Sequence, residues 1–149
     1  MSETIEPTLQ LTGREKAESL MRQERRAGIT ALLDFTLTEV ADGRVVFEGA
    51  PSAAVYNPMG TVHGGYAATL LDSACGIAVL SKLTADQGFT TLELKVSYHR
   101  AMTHATGPVR AEAKVVTMGR RTAFTEATLT DAAGRLYATA TSTLLVFER

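Results

Sequence analysis

The segment from Gly64 to Ser81, GGYAATLLDSACGIAVLS, constrains this chain more than any other. Its ionisable side chains are Tyr66, Asp72 and Cys75 alone. It reads as a helix that is apolar nearly all round, and such a helix must be surrounded by protein. The run is shorter than a membrane span, and Thr69, Asp72 and Ser73 interrupt it. A carboxylate at mid-membrane is costly, so the helix is expected inside a globular domain, not across a bilayer. The rest of the chain must then supply the layer that wraps it.

Strands supply that layer. Phe35 and Leu37 alternate with polar residues, Ala41-Asp42-Gly43-Arg44 makes a turn, and Val45 and Phe47 resume the alternation. This predicts a β-hairpin, with Gly43 where positive φ is needed. Pro51 and Pro58 mark irregular chain after it. Beyond the apolar helix, Leu92, Leu94, Val96 and Tyr98 alternate with Glu93, Lys95, Ser97 and His99, the pattern of a half-buried strand. PVRAEAKVVTMG and RRTAFTEATLTD follow, broken at Gly119, and Asp131-Ala132-Ala133-Gly134 turns into RLYATATSTLLVF. Short connections make these last three strands an antiparallel meander. Upstream, Thr12 and Glu15 form the capping box of a charged helix expected to stop near Gly28. Ala17, Leu20 and Met21 give it a thin apolar stripe to lay against the domain. Residues 1–11 are expected to be flexible and residues 12–149 to form a single α+β domain, one curved antiparallel sheet around one buried helix.

With 149 residues, 45% of them apolar and 21% charged, the chain can bury a core without disulfides or metals. A net charge of −1 supplies no basic field for nucleic acid and no polybasic membrane anchor. Cys75 stands alone in an apolar run and reads as a small core residue. His63, His99 and His104 are not spaced with carboxylates or the cysteine as metal ligands, so no metal site is expected. The opening MSETIEPTLQLT lacks a charged region followed by an apolar one. No secretory signal and a cytoplasmic location are the expectation.

The question is then what Asp72 does in such a helix. Around it lie mostly small residues at helical spacing: Gly65, Ala68, Cys75, Gly76 and Val79. Such a stripe lets a backbone or a ligand come close and leaves the carboxylate partly desolvated, a setting that makes a carboxylate a useful base. The alternative is a carboxylate that caps a loop or pairs with a buried arginine. No basic residue lies within a helical turn of Asp72, and Lys82 is beyond reach. At the helix start, the first N–H groups lack internal partners and carry partial positive charge. His63-Gly64-Gly65 removes side chains there, so a carbonyl oxygen can approach, as an oxyanion hole requires. A tight, packed turn is the alternative use of the same residues. From Gly64 to Asp72 the helix rises about 12 Å, too far for one carbonyl to use both in one chain. If both act on one substrate, they come from different subunits of a two-fold dimer.

The segment Asn57-x-x-Gly60-Thr61-x-His63-Gly64-Gly65 followed by Asp72, with TLELKVSYHRA and GRRTAF downstream, resembles the signature of hotdog-fold acyl-CoA thioesterases. The resemblance is to the PaaI-type phenylacetate-pathway branch and its animal relatives, and it covers roughly residues 30–147. It implies a helix wrapped by an antiparallel sheet, a homodimer with a continuous sheet, and often a dimer of dimers. It also implies hydrolysis of acyl-CoA at the dimer interface with no metal or nucleotide cofactor. By this resemblance Gly64 supplies the N–H that polarises the thioester carbonyl, and His63 positions that loop. Asn57 helps place the carbonyl or the water, and Asp72 attacks or activates water from the other subunit. Thr91 matches a serine or threonine near that water. The strand alternation sets it opposite Leu92 and Leu94, so the neighbouring Thr90 is the alternative. Gly76 stands where some bacterial relatives carry a threonine.

Gly119-Arg120-Arg121-Thr122 resembles the family's CoA-contacting segment, and its arginines would reach CoA phosphates. A solvated turn is the alternative for the pair. Lys95 and Arg100 are further basic candidates. Met59, Val62, Gly65 and Tyr66 flank the helix start and either shape an acyl pocket or pack the core.

The reading favoured by these residues is a thioesterase acting on aromatic, phenylacetyl-type or short- to medium-chain acyl-CoA. A hotdog dehydratase or hydratase uses a histidine in a different loop pattern. An acyl-CoA-binding module would keep the groove and dispense with the carboxylate. Asp72, Asn57 and Gly64 together favour catalysis.

Overall fold

The computed structural model describes residues 10–23 and 26–149. They form α1 (Gly13–Arg22), α2 (Ile29–Leu32), β1 (Phe35–Ala41), β2 (Arg44–Gly49), α3 (Gly64–Leu80), β3 (Gln87–Tyr98), β4 (Val109–Met118), β5 (Thr122–Asp131) and β6 (Leu136–Glu148). The six strands make one antiparallel sheet in the order β1-β2-β4-β5-β6-β3. The hairpin is β1–β2, with Gly43 at φ 72 in its turn, and β4–β5–β6 is the meander. Leaving α3, the chain crosses to pair β3 with β6, so β1 and β3 are the sheet's edges.

The sheet curls around α3 because its middle is made of small residues. One row across five strands reads Val45, Ala113, Ala127, Ala140, Val96. Against it α3 buries Leu70, Leu71, Ala74, Cys75, Ala78 and Val79 completely. Each leucine so buried contributes about 1.5–3 kcal/mol. Burial pushes the Cys75 thiol up to about 11, as suits an inert core residue. No helix of the described residues is long and apolar enough to cross a membrane.

A polar knot closes the C-terminal end of α3. The buried Ser81 hydroxyl donates to the Ala78 carbonyl at 2.6 Å and accepts from the Gly43 N–H at 2.8 Å, tying the hairpin turn to the helix. Ser81→Ala strands that N–H without a partner. The expected result is a loss of about 1–3 kcal/mol in urea unfolding with an unchanged m-value.

Two expectations are corrected. The charged helix ends at Arg22, not near Gly28; Gln23 is extended, with its N–H on the Leu20 carbonyl. The apolar stripe ends at Met21, and a helix this polar persists only where a face is packed. Gly28, at φ 60, instead precedes α2 as its N-cap. The strand alternation is also broken: β3 carries a bulge at Leu92, between Thr91 and Glu93. Thr91, Leu94 and Val96 are half-buried, whereas Leu92 and Tyr98 are 57% and 55% exposed. Of the segment expected to be flexible, residues 1–9 lie outside the described residues, as do residues 24 and 25 of the expected helix.

Candidate active site

The loop entering α3 is knotted by Asn57. Its Oδ1 accepts from the N–H groups of Met59 (3.0 Å) and Thr61 (3.2 Å), and its Nδ2 donates to Thr61 Oγ1 (2.9 Å). Gly60, at φ 88, allows the reversal inside the knot. A bridge between Tyr56 and Val62 then delivers His63 to the helix start. The His63 side chain is the N-cap: Nδ1 accepts from the Gly65 N–H at 2.8 Å, which places the ring proton on Nε2 in the neutral form. A side chain on Gly65 would put a Cβ 2.9 Å from that Nδ1, so the cap needs glycine there. With Gly65 committed to His63, the Gly64 N–H has no partner among the described residues. It is an open donor at the positive end of a 17-residue helix.

Asp72 sits two turns further on. Its Oδ1 accepts from the Thr91 hydroxyl at 3.0 Å. The partner is thus a hydroxyl from β3 and not a buried arginine. The bulge at Leu92 turns Thr91 inward, while Thr90 is exposed. Asp72 and Thr91 border a cavity of about 270 Å³. Phe35, Leu37, Phe47, Ile77 and Phe89 give it apolar walls, and Leu20, Gln23, Arg26 and Thr30 close one side. Gly76 lines it too; a Cβ there would come within 2.9 Å of the Phe89 ring. Arg26 is held at this wall by Asp34 (2.7 Å) and the Phe35 carbonyl (3.3 Å). The N-terminal segment thus forms one wall of the cavity, and its polar members Gln23, Arg26 and Thr30 carry no sequence signal of that role.

Within one chain the two features stay apart. Gly64 opens on a different hollow, with His63, Ala67, Tyr98 and Met102. The Tyr98 hydroxyl donates to the Gly64 carbonyl at 2.6 Å. Tyr98 is in phase with Leu94 and Val96, so alternation gives its face but not this contact.

The other candidates fall as follows. Tyr66 is 3% exposed and does not line the Asp72 cavity. Its hydroxyl is buried without a partner among the described residues. Desolvation, with a smaller contribution from Asp34, pushes it up to about 12. Val62 is a core residue, and Met59 is 80% exposed. Gly119 to Thr122 form the β4–β5 turn, closed by the Gly119 N–H on the Thr122 carbonyl at 2.9 Å. Arg120 and Arg121 are exposed, and neither forms an ion pair among the described residues. The row Ala123, Leu144, Thr91 places this turn two strands from Thr91, about 10 Å across the sheet. Among the described residues no group of three or more His, Cys, Asp or Glu side chains could hold a metal ion.

The Thioesterase superfamily profile matches residues 59–138, more than half of the chain. The 1,4-dihydroxy-2-naphthoyl-CoA hydrolase of Listeria monocytogenes is 26% identical over 119 residues, 80% of this chain and 95% of that protein. A provisionally named esterase of Halobacterium salinarum is 47% identical over 62 residues, but the match spans only 39% of that relative and 40% of this chain. Among solved structures, a mutant of the phenylacetic acid degradation protein PaaI from Thermus thermophilus superposes with a TM-score of 0.71 at 28% identity. That match covers 78% of this chain and 96% of that one. A hypothetical thioesterase of Streptococcus pneumoniae, solved with coenzyme A, gives 0.68 at 26% identity over 77% and 87% of the two chains. Helix, wrapping sheet and matched profile agree, and the chain belongs to the Thioesterase superfamily as a hotdog-fold protein of the PaaI type.

Proposed function

We propose that this protein hydrolyses acyl-CoA thioesters to free acid and CoA, at a site that two copies of the chain share. The observation that carries this reading is Asp72, held by Thr91 at the edge of an apolar cavity. The family and the CoA-related names of its relatives support the substrate. The thioester carbonyl takes the Gly64 N–H, where the helix dipole favours the developing negative charge. Thr91 occupies one carboxylate oxygen of Asp72 and leaves the other for chemistry. As a nucleophile, that oxygen bonds to the acyl carbon, the C–S bond breaks, CoA leaves as thiolate, and water opens the mixed anhydride. As a general base, it takes a proton from water, the hydroxide adds to the carbon, and the departing thiolate is protonated.

Sharing is supported by β3. It is a twelve-residue edge strand with apolar Leu92 and Tyr98 exposed, and such an edge is a template for pairing. Antiparallel pairing of two β3 strands about an axis at Lys95, with the bulge at Leu92 and Glu93 counted as one position, sets Thr91 opposite the partner's Tyr98. Asp72 is bonded to Thr91 and Gly64 to Tyr98, so this register brings Asp72 toward the partner's Gly64.

The cavity is nearly twice the roughly 150 Å³ that accepts benzene in an engineered apolar site, so phenylacetyl or a short to medium aliphatic chain fits. CoA phosphates are assigned to Arg120 and Arg121. Changing both to alanine is expected to raise KM for acyl-CoA about tenfold, to leave kcat unchanged, and to spare the matching pantetheine thioester.

The test of the function is thiol release from phenylacetyl-, benzoyl-, hexanoyl- and lauroyl-CoA. Turnover of one or more supports hydrolysis and ranks the acyl group. Saturable binding of every member with no thiol released would make the protein an acyl-CoA-binding module.

A further inference from the structure

We propose that Tyr98 is a positioning residue: with His63 it clamps the Gly64–Gly65 peptide and so fixes the direction of the Gly64 N–H. The inference rests on Gly64 as the oxyanion donor, the reading given above. Access at the helix start needs two glycines, and two in succession make the least restrained backbone with which a helix can begin. The first turn has no intrahelical N–H bonds to steady it. A donor that must be reoriented at each turnover loses the advantage of preorganisation.

The restraint comes from outside the helix. One end of the Gly64–Gly65 peptide is fixed by the Gly65 N–H on His63 Nδ1 at 2.8 Å. The other end is fixed by the Tyr98 hydroxyl on the Gly64 carbonyl at 2.6 Å. The preceding peptide is held as well, since the His63 carbonyl accepts from the Tyr66 N–H at 3.0 Å. The Gly64 N–H therefore belongs to one pinned peptide plane, His63–Gly64, and adjoins a second, Gly64–Gly65.

Tyr98 is itself well anchored. Its backbone pairs with Ala138 on β6, and the next two N–H groups, of His99 and Arg100, both donate to the Tyr137 carbonyl. Its ring lies over Gly64 so closely that a Cβ there would meet Tyr98 Cζ and Oη at 3.0 Å. The ring is more than half exposed, so filling the core is not what keeps it in place. Partial burial raises the pKa of its hydroxyl, a group that even an ordinary tyrosine keeps protonated at neutral pH.

Tyr98→Phe keeps the ring and removes the hydroxyl. The expected result is a fall in kcat of about five- to tenfold with KM, circular dichroism and native mass unchanged. In a Gly64→Pro background, which has no donor left to position, the same change is expected to have no further effect. Wild-type kcat in Tyr98→Phe beside a crippled Gly64→Pro would remove the clamp and leave the oxyanion reading intact. A change confined to KM would make Tyr98 a substrate contact, and a loss that persists undiminished in Gly64→Pro would place its action elsewhere; either overturns the proposal. Wild-type kcat in Gly64→Pro would remove the donor and the clamp together.

Discussion

Asp72→Asn is expected to lower turnover at least about a hundredfold while the fold and the proposed dimer persist. Asparagine has the shape of aspartate, and its Oδ1 can still accept the hydrogen bond that Thr91 now gives at 3.0 Å. The packing of α3 against β3 is therefore retained. What disappears is the negative charge, and with it both routes open to Asp72, attack on the acyl carbon and removal of a proton from water. Initial rates of thiol release at saturating acyl-CoA measure the effect, with native mass and circular dichroism as controls on assembly. A variant within a few-fold of wild type would show that Asp72 takes no part in the chemistry.

Gly64→Pro is expected to lose about a hundred- to a thousandfold in kcat, where Gly64→Ala loses far less. Proline deletes one atom group that matters, the N–H. It is otherwise suited to this place: Gly64 is the first residue of α3, where proline is favoured. His63, at φ −61 and ψ 135, already has the extended conformation that a residue before proline must adopt. Alanine brings the same Cβ toward Tyr98 but keeps the donor, so the pair separates lost hydrogen bonding from crowding. Mixing then tests sharing. In an equal mixture of Gly64→Pro and Asp72→Asn subunits, half of the dimers are mixed, and each rebuilds one of its two sites. About a quarter of wild-type activity returns. A site built within one chain would return none, since every subunit would carry a lesion.

The parts of this fold that are local in sequence were legible there. The α3 helix, the turn glycines Gly43 and Gly134, the hairpin and the meander all follow from periodicity and turn chemistry over a few residues. The face of β3 was not, because the bulge at Leu92 shifts the alternation and no residue type announces it. Strict alternation therefore turns Thr91 away from the core, whereas Tyr98 keeps the phase of Leu94 and Val96 and is exposed at the end of an edge strand. The end of α1 was misjudged because Gly28 looks like a stop, although the apolar stripe gives out at Met21. The contact of Tyr98 with Gly64 joins residues 34 apart, and the wall that Gln23, Arg26 and Thr30 give the cavity is likewise long-range. Only tertiary structure brings such groups together. Tyr66 beside the glycines is suited by sequence to either an acyl pocket or the core, and its helical phase directs it inward.

The edge strand β3 carries Thr91, which holds Asp72, and Tyr98, which holds Gly64. If the site is shared between two copies as proposed, turnover depends on protein concentration in a particular manner. Above the dissociation constant of the dimer, rate is proportional to total protein. Below it, rate follows the square of that total, and specific activity falls with each dilution. Under that proposal a lone chain would hold both halves of the machinery and be silent, so abundance itself would act as a switch on hydrolysis.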